Sequence, residues 1–294
     1  MESISRGYDN ETLRRVQNTQ KEILKEFIQF CEKHHLEYFM VFGSALGTVR
    51  HQGTIPWDDD IDVGMMRDDY EKLLTIYKEE GIGDFELLTA KLNSNYATGV
   101  THLQNRYTTF ISDYSKNLKC HLGINIDIFP FDKVSENENV RTKQFKRTFF
   151  YRRMLFLVGT SKPNIPYTGL MKYVSSLGCF IIHWSLKLLG QTAPKVYSKF
   201  EKSCRMSNSE NSDLWTSYGD YSYPRGIIKY EEIFPLKKAR YEDLIVNIPN
   251  NVHAHLVEYY GDNYMEIPPK EKQVNHYPYK IEFTYKGEQN VTIP

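Results

Sequence analysis

The residues best suited to chemistry are aspartates in a short run, WDDDIDV, at positions 57–63. Side chains on a β-strand alternate between its two faces. If this segment is a strand, Asp58, Asp60 and Asp62 share one face, while the apolar residues at positions 61 and 63 enter the core from the other. The run therefore predicts three carboxylates on the same side of one strand.

A second segment, INIDI at positions 124–128, alternates in the same way and places Asp127 opposite its three isoleucines. If the two strands are neighbours, carboxylates converge on one cleft, where like charges raise each other's pKa. Divalent cations remove that repulsion, so we predict a site for Mg²⁺, with Mn²⁺ as a substitute, formed by Asp58, Asp60, Asp62 and Asp127. The alternative is an acidic strand face in solvent, which discourages edge pairing.

A glycine-serine turn is the second chemical signal, since Gly43-Ser44 follows a strand-like run and precedes a helical pattern. A strand that ends this way aims backbone N–H groups and the positive end of a helix at an anion. We predict that Gly43 and Ser44 bind phosphate, with Arg50 or His51 reaching a phosphate oxygen. The alternative is that Ser44 is only an N-cap and Gly43 only a turn residue.

Weaker candidates lie elsewhere in the chain. Trp57 suits stacking on a base or a cationic ligand, or ordinary packing. Arg106 suits a phosphate, or a structural ion pair. Tyr218, Tyr221 and Tyr223 form a candidate aromatic box for a quaternary ammonium group, although tyrosines in irregular segments usually just pack.

Composition excludes some classes of function. The 37 basic and 37 acidic side chains give a formal net charge of zero, which argues against an electrostatic nucleic-acid binder. The four cysteines are widely spaced and form no CxxC pair, so neither a zinc site nor a small disulfide scaffold is indicated. The polar N-terminal residues lack the apolar core of a signal peptide and favour a cytoplasmic location.

These motifs need strands and helices to position them. Apolar spacing predicts a helix from about Glu11 to His34, and a later helix capped by RDDY at positions 67–70 and running to about Tyr77. Strand-like runs occupy positions 38–43 and 60–63, the region 100–111, and positions 123–129. Strands interspersed with helices favour an α/β or α+β core with a helical insertion.

Three regions are expected: a catalytic core at 1–135, a helical and basic insertion at 136–210, and a C-terminal segment at 211–294 that packs back on the core. The most apolar stretch of the insertion is Tyr173–Leu186. It falls short of the roughly 20 residues that a membrane-spanning helix needs. Burial in the core is favoured for it over contact with a membrane surface.

The motif FGSALGTVRHQGTIPWDDDIDVGM closely resembles the signature of the LicD family, phosphocholine transferases of bacterial surface glycans with distant relatives among fukutin-type proteins. The resemblance continues through INIDIFPFD and the segment from Ile233 to His276, and is weakest in the helical middle. It implies an α+β core of the nucleotidyltransferase (DNA polymerase beta) type with a mixed sheet. In that core the glycine-serine turn faces Asp60 and Asp62, and Asp127 lies on a nearby strand.

The resemblance also implies a reaction. The donor is a CDP-activated alcohol, commonly CDP-choline, and the acceptor is a hydroxyl of a lipid-linked glycan of the teichoic acid, capsule or lipopolysaccharide type. Asp60 and Asp62 bind metal, Asp127 binds metal or accepts the hydroxyl proton, and Asp58 is an accessory acid. A lipid-linked acceptor gives the basic insertion a role at the inner face of the cytoplasmic membrane.

Other reactions stay open at this stage. The transferred group is alternatively glycerol phosphate, ribitol phosphate or a sugar 1-phosphate from a CDP- or UDP-activated donor. A true nucleotidyltransferase would release pyrophosphate instead of CMP. An inactive glycan-assembly protein is the third alternative, and the presence of Asp60, Asp62 and Asp127 argues against it.

Overall fold

A seven-stranded mixed sheet forms the centre of the computed structural model, which describes residues 7–219, 226–283 and the backbone of 291–292. The helices are α1 (Asn10–Lys33), α2 (Phe42–His51), α3 (Arg67–Glu80), α4 (Glu138–Gly159), α5 (Gly169–Leu188), α6 (Ala193–Cys204), α7 (Tyr230–Ile233) and α8 (Val252–Tyr260). The strands are β1 (Phe39–Met40), β2 (Asp62–Met66), β3 (Phe85–Leu88), β4 (Thr101–Asn105), β5 (Thr108–Ile111), β6 (Asn125–Lys133), β7 (Leu214–Ser217), β8 (Ile228–Lys229), β9 (Lys237–Tyr241), β10 (Leu244–Ile248), β11 (Lys280–Phe283) and β12 (Val291–Thr292).

The sheet has the order β1-β2-β6-β4-β3, and β7 and β8 extend it from the far end of β6. Strands β2 and β6 run parallel, whereas β1, β4, β3 and β7 pair antiparallel with their neighbours. The predicted α+β class and mixed sheet are therefore confirmed. The closer likeness to nucleotidyltransferases stays a prediction.

Helix α1 covers the sheet because its apolar residues recur at helical spacing, as the sequence predicts. Asp9 caps its N-terminus by accepting a hydrogen bond from the backbone N–H of Thr12 (2.7 Å). Ile23 and Phe27 are fully buried on the face that packs toward β6 and β4. The same helix buries two glutamines, Gln17 and Gln20, which are polar groups that need partners inside the fold.

Helix α3 begins at Arg67 as predicted, but the RDDY residues do not cap it. Its N-cap is Met66, which offers no side-chain hydrogen bond. The Arg67 side chain instead turns into the interior and pairs with Asp132 at the end of β6, with Nε 2.9 Å from Oδ1. Both side chains are almost fully buried. This pair fixes α3 against the central strand.

Helices α4 and α6 pack against each other through a separate apolar cluster that includes Leu155, Val158, Val196 and Phe200. Helix α5 is different, because most of its large apolar side chains are exposed and His183 is its one buried residue. The predicted burial of Tyr173–Leu186 is therefore wrong. Within the described residues, no helix combines the length and the apolar character that crossing a bilayer requires.

The C-terminal segment returns to the core in short elements. Strands β9 and β10 form a hairpin, and β11 pairs antiparallel with β5 through the register Lys280 to Ile111.

The strand predicted at positions 60–63 begins only at Asp62, and the helix predicted from Ser44 begins at Phe42.

The buried ion pair between Arg67 and Asp132 yields a prediction on stability. Replacing Asp132 by alanine removes the shortest partner of the buried guanidinium and leaves it only the longer contacts to Glu71 (3.6 Å) and Glu201 (3.4 Å). The free energy of unfolding is therefore expected to fall by about 3 kcal/mol. Urea denaturation followed by circular dichroism measures this change.

The control is Asp113→Ala, which removes the exposed pair with Lys116 and is expected to cost at most about 1 kcal/mol. If both variants lost the same free energy of unfolding, the buried pair would contribute no more to stability than the exposed one.

Candidate active site

The junction of β2 and β6 brings together the two acidic motifs. These strands are parallel neighbours, and their register places Asp62 directly beside Asp127. The flanking residues Ile61, Ile126 and Ile128 are fully buried on the core side. The expectation that the two strands are neighbours is confirmed, while the convergence of their carboxylates on one site stays a prediction.

The other acids do not follow the predicted strand geometry. Residues 58–61 form an irregular segment before β2, so the idea that Asp58, Asp60 and Asp62 share one strand face is wrong. The buried glutamines of α1 hold this segment, because Gln17 donates to the Asp58 carbonyl (2.9 Å) and Gln20 to the Asp59 carbonyl (2.7 Å).

The glycine-serine turn contacts this acidic segment directly. A Cβ atom at Gly43 would lie 3.1 Å from a carboxylate oxygen of Asp58, so glycine permits the close approach. The Oγ atom of Ser44 accepts a hydrogen bond from the backbone N–H of Asp62 (2.7 Å). The N-cap of α2 is Val41, so Ser44 is not the N-cap. It ties the turn to the first residue of β2.

The turn is strained at Phe42, whose φ of 48° lies in the left-handed region that aromatic residues rarely adopt. Its backbone N–H donates to Nε2 of His255 (3.3 Å), and its ring packs edge-on against Phe129 and Tyr259. Surrounding contacts therefore hold the strained residue in place, a pattern common at functional sites.

Asp59, which the sequence analysis did not select, is the most completely bonded acid of the run. Its carboxylate accepts hydrogen bonds from the Tyr8 hydroxyl and from the His276 backbone N–H, both at 2.8 Å. The His276 ring lies close as well, with Nδ1 3.4 Å from Asp59 and 3.5 Å from Asp60. Asp59 and His276 are 217 residues apart, so no local pattern signals their contact.

A cavity of about 310 Å³ opens beside these acids. Asp60 and Asp127 lie on its wall, whereas Asp58 and Asp62 are not among the described residues that line it. An aromatic and apolar part of the wall includes Tyr96, Phe110 and Tyr114.

Two basic side chains that the sequence analysis did not assign to the site also line this cavity. His102 has Nε2 3.3 Å from Asp127. Arg152 is buried and donates to the carbonyl oxygens of Tyr218 (3.1 Å) and Gly219 (2.8 Å).

The electrostatics of the cluster follow from burial of several like charges. Burial, and then the nearby charge of Asp60, raise the pKa of Asp58 to about 8. Burial likewise raises the pKa values of Asp60 and Asp127, although His276 opposes the shift in both. The hydrogen bond to Asp59 is the main reason that the pKa of His276 rises to about 9. Ionising these carboxyl groups together is therefore unfavourable unless further positive charge is supplied.

This donor set fits a hard divalent cation, because carboxylate oxygens are the ligands that Mg²⁺ prefers. In the part of the chain that the structure describes, Asp58, Asp59 and His276 have ligand atoms within 4.8 Å of one another. Both Asp59 oxygens already accept hydrogen bonds, so Asp58 is the more available acid of that group. The set predicted from the sequence, with Asp60, Asp62 and Asp127, stays a prediction.

The remaining predicted ligands lie away from the cavity. Arg50 donates to the carbonyl oxygens of Tyr264 (2.9 Å) and Glu266 (3.1 Å) and lies over the Trp57 ring, which His51 contacts edge-on. Arg106 donates to two carbonyl oxygens of the β3 segment, those of Asp84 (2.8 Å) and Phe85 (3.1 Å). In this structure these side chains stabilise the fold, and their contact with a phosphate stays a prediction.

The candidate aromatic box is only partly visible. Tyr218 is buried and its ring packs on Phe145, which is the packing role expected of a tyrosine. Tyr221 and Tyr223 lie outside the described residues.

Comparison with known proteins finds similarity to one family in the part of the chain that carries this site. The profile described as LicD/FKTN/FKRP, nucleotidyltransferase domain, matches residues 35–162, which include both acidic motifs. A protein of Haemophilus influenzae named lipopolysaccharide cholinephosphotransferase LicD is 29% identical over 270 residues, covering 90% of this chain and 96% of that protein. An uncharacterized protein of Rickettsia typhi is 31% identical over 128 residues, covering 42% of this chain and 38% of its own length.

The raised pKa of Asp58 predicts how pH changes stability. A group that binds its proton more tightly when folded stabilises fully below its unfolded pKa of about 3.9, and this contribution is lost as pH rises through about 8. Asp58→Asn cannot ionise, so its thermal midpoint relative to wild type is expected to rise by several degrees between about pH 5 and about pH 8. Calorimetry in the presence of a chelator measures this.

Asp68→Asn, which removes an exposed charge from α3, is the control for that experiment. The buried-charge interpretation would be contradicted if the difference in thermal midpoint between Asp58→Asn and wild type were the same at both pH values. It would also be contradicted if Asp68→Asn showed an equal increase in that difference.

Proposed function

We propose that this protein is a member of the LicD family that transfers phosphocholine from CDP-choline to a hydroxyl of a lipid-linked cell-surface glycan and releases CMP. The observation that carries the proposal is the cavity on which Asp60 and Asp127 lie together beside an aromatic wall. The name of the Haemophilus relative supports phosphocholine as the transferred group. A place at the inner face of the cytoplasmic membrane is part of the same proposal.

The transfer is a displacement at phosphorus. The acceptor oxygen forms a bond to the phosphorus that carries choline, the anhydride P–O bond of the donor breaks, and CMP leaves with that electron pair. The hydroxyl proton must pass to a base within hydrogen-bond reach of the acceptor. Asp127 suits this role because it lies on the cavity wall and because burial raises its pKa, which makes it a stronger base than an exposed aspartate.

Neighbouring side chains position that base. Asn125 donates to Asp127 (2.6 Å), and His102 approaches the same carboxylate oxygen from the adjacent strand β4. Both orient the carboxylate toward the cavity. His102 is also placed to stabilise Asp127 in its charged form before it takes the proton.

A divalent cation would be held by Asp60 and Asp62, with Asp58 as an accessory ligand, and Asp127 would be a third ligand only in the alternative in which it is not the base. When bound, such an ion supplies neutralisation of the diphosphate and of the charge that develops on the leaving phosphate. The chain's own residues contribute the rest. The Ser44 hydroxyl fixes the start of β2, and Arg152 places a guanidinium on the cavity wall, where it complements a phosphate.

The apolar part of the cavity suits the choline group. Tyr114 and Phe156 stack with ring centroids 4.1 Å apart, and both line the wall together with Tyr96. Aromatic faces attract quaternary ammonium ions, whereas glycerol and ribitol carry no such charge. This wall therefore favours phosphocholine over the phospho-alditol alternatives.

The first test is a donor panel by isothermal titration, using CDP-choline, CDP-glycerol, CDP-ribitol and a UDP-sugar, each with and without Mg²⁺. We expect Mg²⁺-dependent binding of CDP-choline, and its loss in Asp60→Ala. A preference for another donor would replace the transferred group. Metal-independent binding that survives the substitution would contradict the proposed site.

The role of Asp127 makes a separate kinetic prediction. Asp127→Asn removes the proton acceptor while keeping the size of the side chain, so kcat is expected to fall by about 10²–10⁴-fold with little change in KM for the donor. Release of CMP from CDP-choline and a glycan acceptor measures the rate.

The matched control is Asp68→Asn, which makes the same chemical change at an exposed position of α3 and is expected to keep the wild-type rate. A rate for Asp127→Asn within about threefold of wild type would exclude this carboxylate as the base.

A further inference from the structure

Helix α5 presents an apolar stripe away from the protein. Its members recur at alternating steps of four and three residues, which places them on one side of a helix. Their side chains are between 55% and 90% exposed. They are Leu170, Val174, Leu177, Ile181, Trp184 and Leu188.

The opposite side of α5, which contacts the protein, is mainly small and polar, although Leu186 also packs there against the apolar cluster of α4 and α6. Ser175 and Cys179 are partly buried there, and His183 is buried with Nδ1 2.6 Å from the Leu157 carbonyl oxygen of α4. A helix on the surface of a globular protein normally has the reverse arrangement, with its apolar stripe inward. The stripe of α5 is therefore built to be covered by something other than the described residues of this chain.

The charge around α5 indicates what covers it. Residues 139–200 contain eleven lysines and arginines and not one aspartate or glutamate. Nine of these basic side chains are exposed, and none of the nine forms an ion pair with any residue that the structure describes. In the sequence, Lys172 and Lys187 bracket the uncharged segment 173–186 of α5.

We propose that α5 docks on an anionic phospholipid bilayer, lying in the plane of the surface with its stripe among the acyl chains and the surrounding lysines and arginines at the headgroups. Apolar residues on one side of a helix combined with basic flanks is the pattern of interfacial helices. A second copy of the chain fits less well, because a symmetric contact through α5 would bring two regions of charge +11 together.

The docked helix is connected to the cavity by a short path. Leu157, which accepts the hydrogen bond from His183, is next to Phe156, and Phe156 and Arg152 of the same helix α4 line the cavity. If the proposed function holds, the bilayer delivers the lipid-linked acceptor to this wall. Docking itself does not depend on that function and is measured without any substrate.

Vesicle co-sedimentation of the full chain tests the proposal. Vesicles of phosphatidylcholine with phosphatidylglycerol are expected to bind the protein, less strongly at high salt, while phosphatidylcholine alone binds it weakly. The double variant Leu177→Asp/Ile181→Asp should reduce the binding constant about tenfold or more. The Trp184 fluorescence should shift to the blue with vesicles, and this shift should be missing in Trp184→Phe.

The matched control is Ile245→Asp/Ile267→Asp, which places the same charges at two other exposed isoleucines and is expected to bind as wild type does. Thermal melting checks that both variants fold. Equal binding by the α5 variant and the control would overturn the proposal. So would a wild-type dimer in lipid-free buffer that becomes monomeric in the α5 variant, because a second copy would then cover the stripe.

Discussion

Crowded negative charge at the junction of β2 and β6 is the constraint on which the site depends. Parallel pairing puts Asp62 beside Asp127, and three more aspartates precede Asp62 in the chain. The fold holds this segment by its backbone: Gln17 and Gln20 donate to its carbonyl oxygens, and Ser44 accepts a hydrogen bond from the Asp62 N–H. These bonds fix the main chain and leave the carboxylates of Asp60 and Asp127 on the cavity wall, which is the arrangement that binding an ion or a phosphate donor requires.

Within the run of aspartates at positions 58–62, Asp59 has a structural role that differs from the role proposed for its neighbours. Its buried carboxylate joins Tyr8, before the first helix, to His276 in the C-terminal segment. The residues on either side, Asp58 and Asp60, have raised pKa values and hydrogen-bond to each other. One acid therefore closes the fold around the site while its neighbours stay available, and a change at Asp59 would disturb the positions of distant segments as well as the local charge.

Predictions from the sequence were correct where the two-residue alternation of a strand determines which side chains are buried. Strand alternation located the buried isoleucines of β6 and the pairing of Asp62 with Asp127. It failed at residues 58–60, because glutamines of α1 bind the backbone of Asp58 and Asp59, and bonding to β6 begins only at the Ile61 carbonyl. It missed His276, since that contact spans 217 residues. It assigned Arg50 and Arg106 to phosphate because a sequence does not show which carbonyl oxygens compete for a guanidinium. The sequence showed that α5 is apolar, but it did not show whether its apolar side chains pack on the core or face away from it.

The uneven distribution of charge along the chain gives the molecule an electric dipole, which can orient it before it contacts a surface. Residues 139–200 carry a charge of +11, and the rest of the chain, with all 37 acids and the other 26 basic residues, carries −11. A neutral molecule of this kind is not pulled by a uniform electric field, but it is turned by one, as any dipole is. Near a charged surface it would rotate first and approach afterwards. The net charge of zero does not describe this effect, because the torque depends on how the charge is distributed and not on its sum.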